Sequence, residues 1–326
     1  MRPKLLAALA ALTVTLPIGS SAQAAPDPAP NGRISLADLR EATLDVPAWP
    51  ADNVRGPSGR LHFHRGQVPV EGGSVAEGQP PYGDSILILS VAYGDVDHDG
   101  ADETIVTFGC LIEGGSKQVV VYDRDATGAI ISLGRVAATT GPVRDIRADS
   151  PKVTGGVLTT AVADYQRCCD DRTPQIWQTR GYALRSGKFV QVSGPRRMPV
   201  NPHVTDASIT AGPLTLGPEK DGFRYGTTIV TVTRHRGARP EQFTLSFFPP
   251  EGLERSGAGW PKVTEEPDWF RVTVPAPPSD DTVSYPFTFR RPAAATGGEL
   301  DIELGTVPEM GLAVPWTADA AAPIRP

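Results

Sequence analysis

Between residues 95 and 103 the chain reads Asp95-Val96-Asp97-His98-Asp99-Gly100-Ala101-Asp102-Glu103, five carboxylates in nine residues. Acidic side chains fall at the first, third, fifth and ninth positions of this stretch, with glycine at the sixth. Alternate residues of a tight loop point inward, and Gly100 supplies the turn. The carbonyl of Ala101 adds a backbone donor at the seventh position, and waters complete the six to eight oxygens that Ca²⁺ prefers. Without a cation these carboxylates repel one another. The expected ligands are therefore Asp95, Asp97, Asp99, Glu103 and the Ala101 carbonyl, and the expected cofactor is Ca²⁺.

The residues after the loop decide what carries it. A helix-loop-helix site needs a bidentate Glu at the twelfth position, where this chain has Val106 inside Thr104-Ile105-Val106-Thr107, a strand-like run. A strand, an acidic loop and a second strand are expected instead. Rival chemistry is thinner. His62 and His64 lie two apart and share a face on a strand, but no third ligand accompanies them. Asp170 and Asp171 with Asp164 offer paired carboxylates in a loop rich in Asp, Arg and Gln, the composition of a solvated turn. No GxSxG, HExxH, phosphate loop or GxGxxG occurs, and the five Trp residues (49, 177, 260, 269 and 316) form no evenly spaced platform. No catalytic residue is assigned.

The elements that position the loop are strands. The 34 Gly and 33 Pro among 326 residues argue for many turns and against long helical bundles. Ser35, with Asp38 three residues on, caps one short turn through Leu36 and Leu39. Leu61 to His64 reads as an edge strand within a long Gly- and Pro-rich loop. Short β-branched runs follow at 86–91, 104–108, 118–122, 130–133, 143–146 and 157–162, then 176–184 and 188–192 joined by Arg185-Ser186-Gly187, a hairpin turn. These make 34–197 an antiparallel β domain. Gly194-Pro195 and Met198 to His203, with Pro199 and Pro202, mark a boundary. A second series at 208–216, 225–234, 242–248, 270–274, 284–290 and 299–304 has the count and spacing of an immunoglobulin-like β-sandwich over 203–316, expected to fold on its own, with 317–326 as a tail. Thr227, Ile229, Thr231 and Thr233 alternate with Thr228, Val230 and Val232, giving that strand one wet face and one dry face. The fold class is all-β.

At the N-terminus, Arg2 and Lys4 precede an apolar run from Leu5 to Leu16 and a small-residue stretch ending Ala22-Gln23-Ala24, the layout of a secretory signal peptide over 1–24, followed by a Pro- and Ala-rich linker over 25–33. The run falls short of the roughly 20 residues a membrane span needs. A secreted, extracellular location follows, with no membrane span. Removing Arg2 and Lys4 leaves 29 basic against 37 acidic residues with no basic stripe, so nucleic acid is excluded as a partner. Export permits disulfides. Of the three cysteines, Cys110, Cys168 and Cys169, the adjacent pair is poorly placed to bond to itself. Cys110 is expected to pair with Cys168 or Cys169, a link worth about 4 kcal/mol in the chain-entropy treatment.

The segment Gly94 to Val106 resembles the FG-GAP or VCBS repeat, the Ca²⁺ loop of integrin-α-like β-propeller blades. That resemblance implies a propeller-blade-like first domain with Asp95, Asp97, Asp99 and Glu103 as side-chain ligands, Glu103 standing where the family more often has Asp. Such propellers repeat the loop. Here it occurs once, with Asp123-Arg124-Asp125-Ala126-Thr127-Gly128 as a weak echo, and some 150 residues cannot supply a full propeller. More loosely, Ser208 to Gly212 and the strand 225–234 make the chain similar to secreted actinobacterial proteins in which one such loop precedes a DUF11-like, immunoglobulin-like module. The implied function is a calcium-stabilised binding or structural module, adhesion-type, whose partner is an extracellular protein, glycan or cell-wall polymer. The alternative is a secreted hydrolase, or an accessory subunit, acting on an extracellular polymer.

Overall fold

The computed structural model describes residues 31–50, 56–69, 85–110, 115–167, 170–278, 281–314 and 317–326. The expected signal peptide 1–24, the linker as far as residue 30, Cys168, Cys169 and Trp316 lie outside the described residues. What is described is almost wholly strand. The helical turn α1 (Leu36–Leu39) is capped as its sequence predicts, Ser35 Oγ accepting from the Asp38 amide at 3.1 Å. No described helix is long and apolar enough to cross a membrane.

The N-terminal half is layered. Strands β1 (Thr43–Val46) and β2 (Gly59–His62) pair as a two-stranded sheet; β3 (Gln67–Pro69), β4 (Ser85–Gly94), β5 (Glu103–Cys110), β6 (Ser116–Arg124) and β7 (Ile130–Ala138) form an antiparallel meander in that order. A second sheet is built from β8 (Asp145–Ile146), β9 (Lys152–Thr154), β10 (Val157–Ala163), β11 (Trp177–Arg185) and β12 (Lys188–Ser193). The meander is covered on both faces. Val106, Phe108, Val120 and Tyr122 pack with Ile34, Leu39, Leu44 and Phe63 on one side, while Ile105, Val119 and Val121 pack with Ile146, Leu158 and Val162 on the other. Every residue of β5 is consequently buried. That explains why its sequence from Thr104 onward is a continuous apolar and Thr run and does not alternate.

The C-terminal half is a two-layer sandwich. Its strands are β13 (Val204–Ala211), β14 (Leu214–Leu216), β15 (Phe223–Gly237), β16 (Gln242–Phe248), β17 (Glu254–Arg255), β18 (Val263–Glu265), β19 (Phe270–Pro275), β20 (Thr282–Pro292), β21 (Glu299–Val307), β22 (Gly311–Leu312) and β23 (Asp319–Arg325). One layer centres on β15, which pairs with β20 along its length, and the other on β16 between β19 and β21. Thr228, Val230 and Val232 face inward, and Thr227, Thr231 and Thr233 make outward hydroxyl pairs with Thr288, Ser284 and Thr282. Phe247 is fully buried at the centre, stacked on Phe270 at 5.0 Å and edge-on to Phe287 at 4.9 Å.

One expectation is corrected here. The tail assigned to 317–326 contains β23, which runs antiparallel to β21 (Glu303 opposite Asp319) and parallel to β14 (Leu214 opposite Ile324). It joins the two layers and buries Ala322 and Ile324. A segment ending at 316 would therefore lack a strand of its own sandwich. The halves also touch: Arg144 of the first half reaches Asp206 of the sandwich at 3.4 Å, and the side-chain amide of the boundary residue Asn201 donates to the Pro174 carbonyl at 2.7 Å.

Candidate metal centre

The acidic loop is the connection between β4 and β5, as the sequence predicts, and its winding follows from its residue types. Aspartate side chains readily accept from amides two or three residues ahead, mimicking a backbone turn. Asp95 Oδ1 accepts from the His98 amide at 2.6 Å, Asp97 Oδ1 from Asp99 at 3.1 Å and Asp99 Oδ1 from Ala101 at 2.8 Å. Two left-handed residues complete the coil, His98 at φ 70° and Gly100 at φ 91°. Asn, Asp, His and Gly tolerate that region best. The loop rests on the second sheet: the His98 ring lies where a Cβ on Gly156 would be, so only glycine in the β9–β10 turn admits it.

Carboxylate oxygens of Asp95, Asp97 and Asp99 lie within 4.8 Å of one another. Asp97 also belongs to a second group of the same tightness with Glu103 and Asp123. The antiparallel register explains this: β5 meets β6 with Thr104 opposite Tyr122, so the next pair outward sets Glu103 beside Asp123. Glu103 is completely buried. Its Oε2 accepts from the Val96 amide at 2.6 Å, and its Oε1 has no partner. Burial pushes its carboxyl up to about 7, opposed by the Val96 hydrogen bond and reinforced by the charges of Asp97, Asp123 and Asp99. Asp123 is raised for the same first reason, desolvation, with Asp97 and Asp99 adding to it. Among the described residues no Lys or Arg pairs with any of these five carboxylates; the nearby Arg33 pairs with Asp102 at 3.1 Å instead.

Such an arrangement suits a hard divalent cation. The side-chain donors are all oxygen, Asp97 belongs to both groups, and the buried Glu103 Oε1 lacks a hydrogen bond that a cation would replace. The sequence reading named Asp95, Asp97, Asp99 and Glu103, and the structure brings their side chains into the two groups that share Asp97. The Ala101 amide closes the loop by donating to Asp99. Sequence reasoning missed Asp123. Its signal was present as the weak echo at 123–128, whose first Asp faces the loop; Asp125 caps its own hairpin by accepting from Thr127 and Ala129.

The other candidates separate. His62 and His64 go to different partners, Thr43 Oγ1 at 3.2 Å and Glu41 Oε2 at 3.0 Å. Asp164 accepts from the Ile176 amide and lines a cleft with Met198 and Asp206, whereas Asp170 and Asp171 line a separate groove beside His203 and Glu309. Asp171 accepts from the Tyr165 hydroxyl at 2.5 Å. Cys110 is a buried free thiol, its sulfur beside Gly56, and burial pushes it up to about 12. Trp49 donates to the Pro57 carbonyl and Trp260 to the Ser256 carbonyl, both satisfied in place.

No family model and no curated protein matches the chain. Among solved structures it is similar to a non-cellulosomal cohesin from the hyperthermophilic archaeon Archaeoglobus fulgidus, at 15% identity and a TM-score of 0.26, over 36% of this chain and 91% of the cohesin.

Proposed function

We propose that the protein is a secreted, calcium-stabilised binding or structural module, with a blade-like half that holds the ion and an immunoglobulin-like sandwich that spaces or presents it. The observation that carries the calcium reading is Glu103: a fully buried carboxylate with one oxygen unpartnered, set among other carboxylates. Burying an unpaired charge is costly, and a cation offsets both the lost hydration and the mutual repulsion. Asp95, Asp97, Asp99, Glu103 and the Ala101 carbonyl supply the oxygens. In this reading the ion is structural, as is usual for loops that rigidify at extracellular Ca²⁺ concentrations.

The partner is an extracellular protein, glycan or cell-wall polymer, and the role is adhesion without turnover. The test is retention of the full chain on purified cell-wall polymer and immobilised glycans, with Ca²⁺ and with chelator. Calcium-dependent retention with the polymer left intact is expected. Release of soluble fragments from the polymer would contradict the reading and favour the hydrolase alternative.

A further inference from the structure

We propose that Asp123, outside the acidic loop, is itself a calcium ligand, so that the ion is held between two hairpins and not within one loop. This assignment rests on the calcium reading above. Three observations carry it. Asp97, Glu103 and Asp123 present oxygens within 4.8 Å of one another. The unpartnered Oε1 belongs to Glu103, the fully buried member of that same group, whose other oxygen is already occupied by the Val96 amide. Asp123 is also fixed in place: its Oδ1 accepts from the Arg124 amide at 2.6 Å.

The position of Asp123 is also set from its far side. Gly32 sits so close that a Cβ there would run into Asp123 Oδ1. Glycine is thus what lets the carboxylate occupy this position. The same segment is tied to the first residues of β5, because Thr104 Oγ1 donates to the Gly32 carbonyl at 2.7 Å and accepts from the Ile34 amide at 2.8 Å. An ion on Asp97, Glu103 and Asp123 would join the β4–β5 loop to β6 and to the N-terminal segment in one cluster. Oxygen-only donors of this number and charge select Ca²⁺ over the softer transition metals.

The experiment is calcium titration calorimetry on the full chain and three variants, with circular dichroism as a folding check. Asp123→Asn is expected to weaken binding at least about tenfold, since ligand charge count sets the affinity of such sites. Asp102→Asn removes a charge from the same loop, but from a side chain paired with Arg33 outside the cluster; it should stay within about twofold of the parent, because an exposed charge in water acts weakly at a distance. Gly32→Ala keeps every carboxylate while its Cβ presses on Asp123 Oδ1 and on the Asp102 carbonyl, so it should also weaken binding, and with Asp102→Asn near parent affinity it stands in for Asp123→Asn if that variant fails to fold. Parent-like affinity in both Asp123→Asn and Gly32→Ala would overturn the assignment while leaving the calcium reading intact. A parent chain that takes up no Ca²⁺ would overturn both.

Discussion

Each half of the molecule carries a group of carboxylates, and the two groups sit in opposite surroundings. On the sandwich, Asp301, Glu303 and Asp319 stand on the outer face of β21 and β23, beside Phe248. Desolvation and neighbouring charge raise Glu303, and desolvation raises Asp319, yet none of the three has a buried oxygen without a partner. In the N-terminal half, Glu103 is taken fully inside and left with one oxygen unanswered. Water serves the first group but does not reach Glu103 in the second. Acid density alone therefore says little about an ion; a carboxylate that the fold removes from water says much more.

A corresponding difference runs through the packing. The sandwich is held by an aromatic centre and by β23 closing its two layers, whereas the acidic end of the meander holds mutually repelling charge. Removing residues 318–326 should have the largest effect, leaving the sandwich without a cooperative melt, because β14 and β21 both lose their pairing to β23. Circular dichroism of that truncation checks it, and a native-like melt would restore the tail reading. Next is Phe247→Ala, expected to cost about 3–5 kcal/mol of stability by denaturant titration, the usual range for deleting a buried aromatic ring, with the calcium response unchanged.

A smaller effect separates the halves by pH. In calcium-free protein, Glu103 is raised from 4.5 to about 7. A folded-state value above the unfolded one means that the protonated carboxyl is favoured by folding. Stability is then highest below the unfolded value and falls as pH rises through about 7. Melts in chelator at a series of pH values should show that decline, and Glu103→Gln should flatten it. Smallest of all, Asp301→Asn on the sandwich face should shift stability by no more than about 0.5 kcal/mol and leave calcium affinity alone, as for most surface substitutions.

How much of this the chain disclosed beforehand depended on the range of the interaction. Local chemistry was legible. The Ser35 cap, the Arg185-Ser186-Gly187 turn with both Ser186 and Gly187 at positive φ, and the winding of the acidic loop all follow from residues within four positions of each other. Asp123 was not legible as a ligand, because it meets Glu103 only through the register of β5 on β6, twenty residues apart in sequence. β23 was hidden by composition: Ala320-Ala321-Ala322-Pro323 has little strand preference, and Pro323 withholds a donor. It is a strand because β14 and β21 flank it on either side. The expected partners of Cys110 lie outside the described residues, and its sulfur is packed near Gly56 and the Trp49 ring.

The central claim is that the acidic end of the meander holds calcium, and thermal melting of the full chain in calcium and in chelator tests it most directly. At a calcium concentration 100 times the dissociation constant, binding adds about 2.7 kcal/mol to the folded state. Calcium should raise the melting transition of the parent chain and leave that of Glu103→Ala unmoved. Melting curves that coincide in calcium and in chelator, from a properly folded parent, would contradict it.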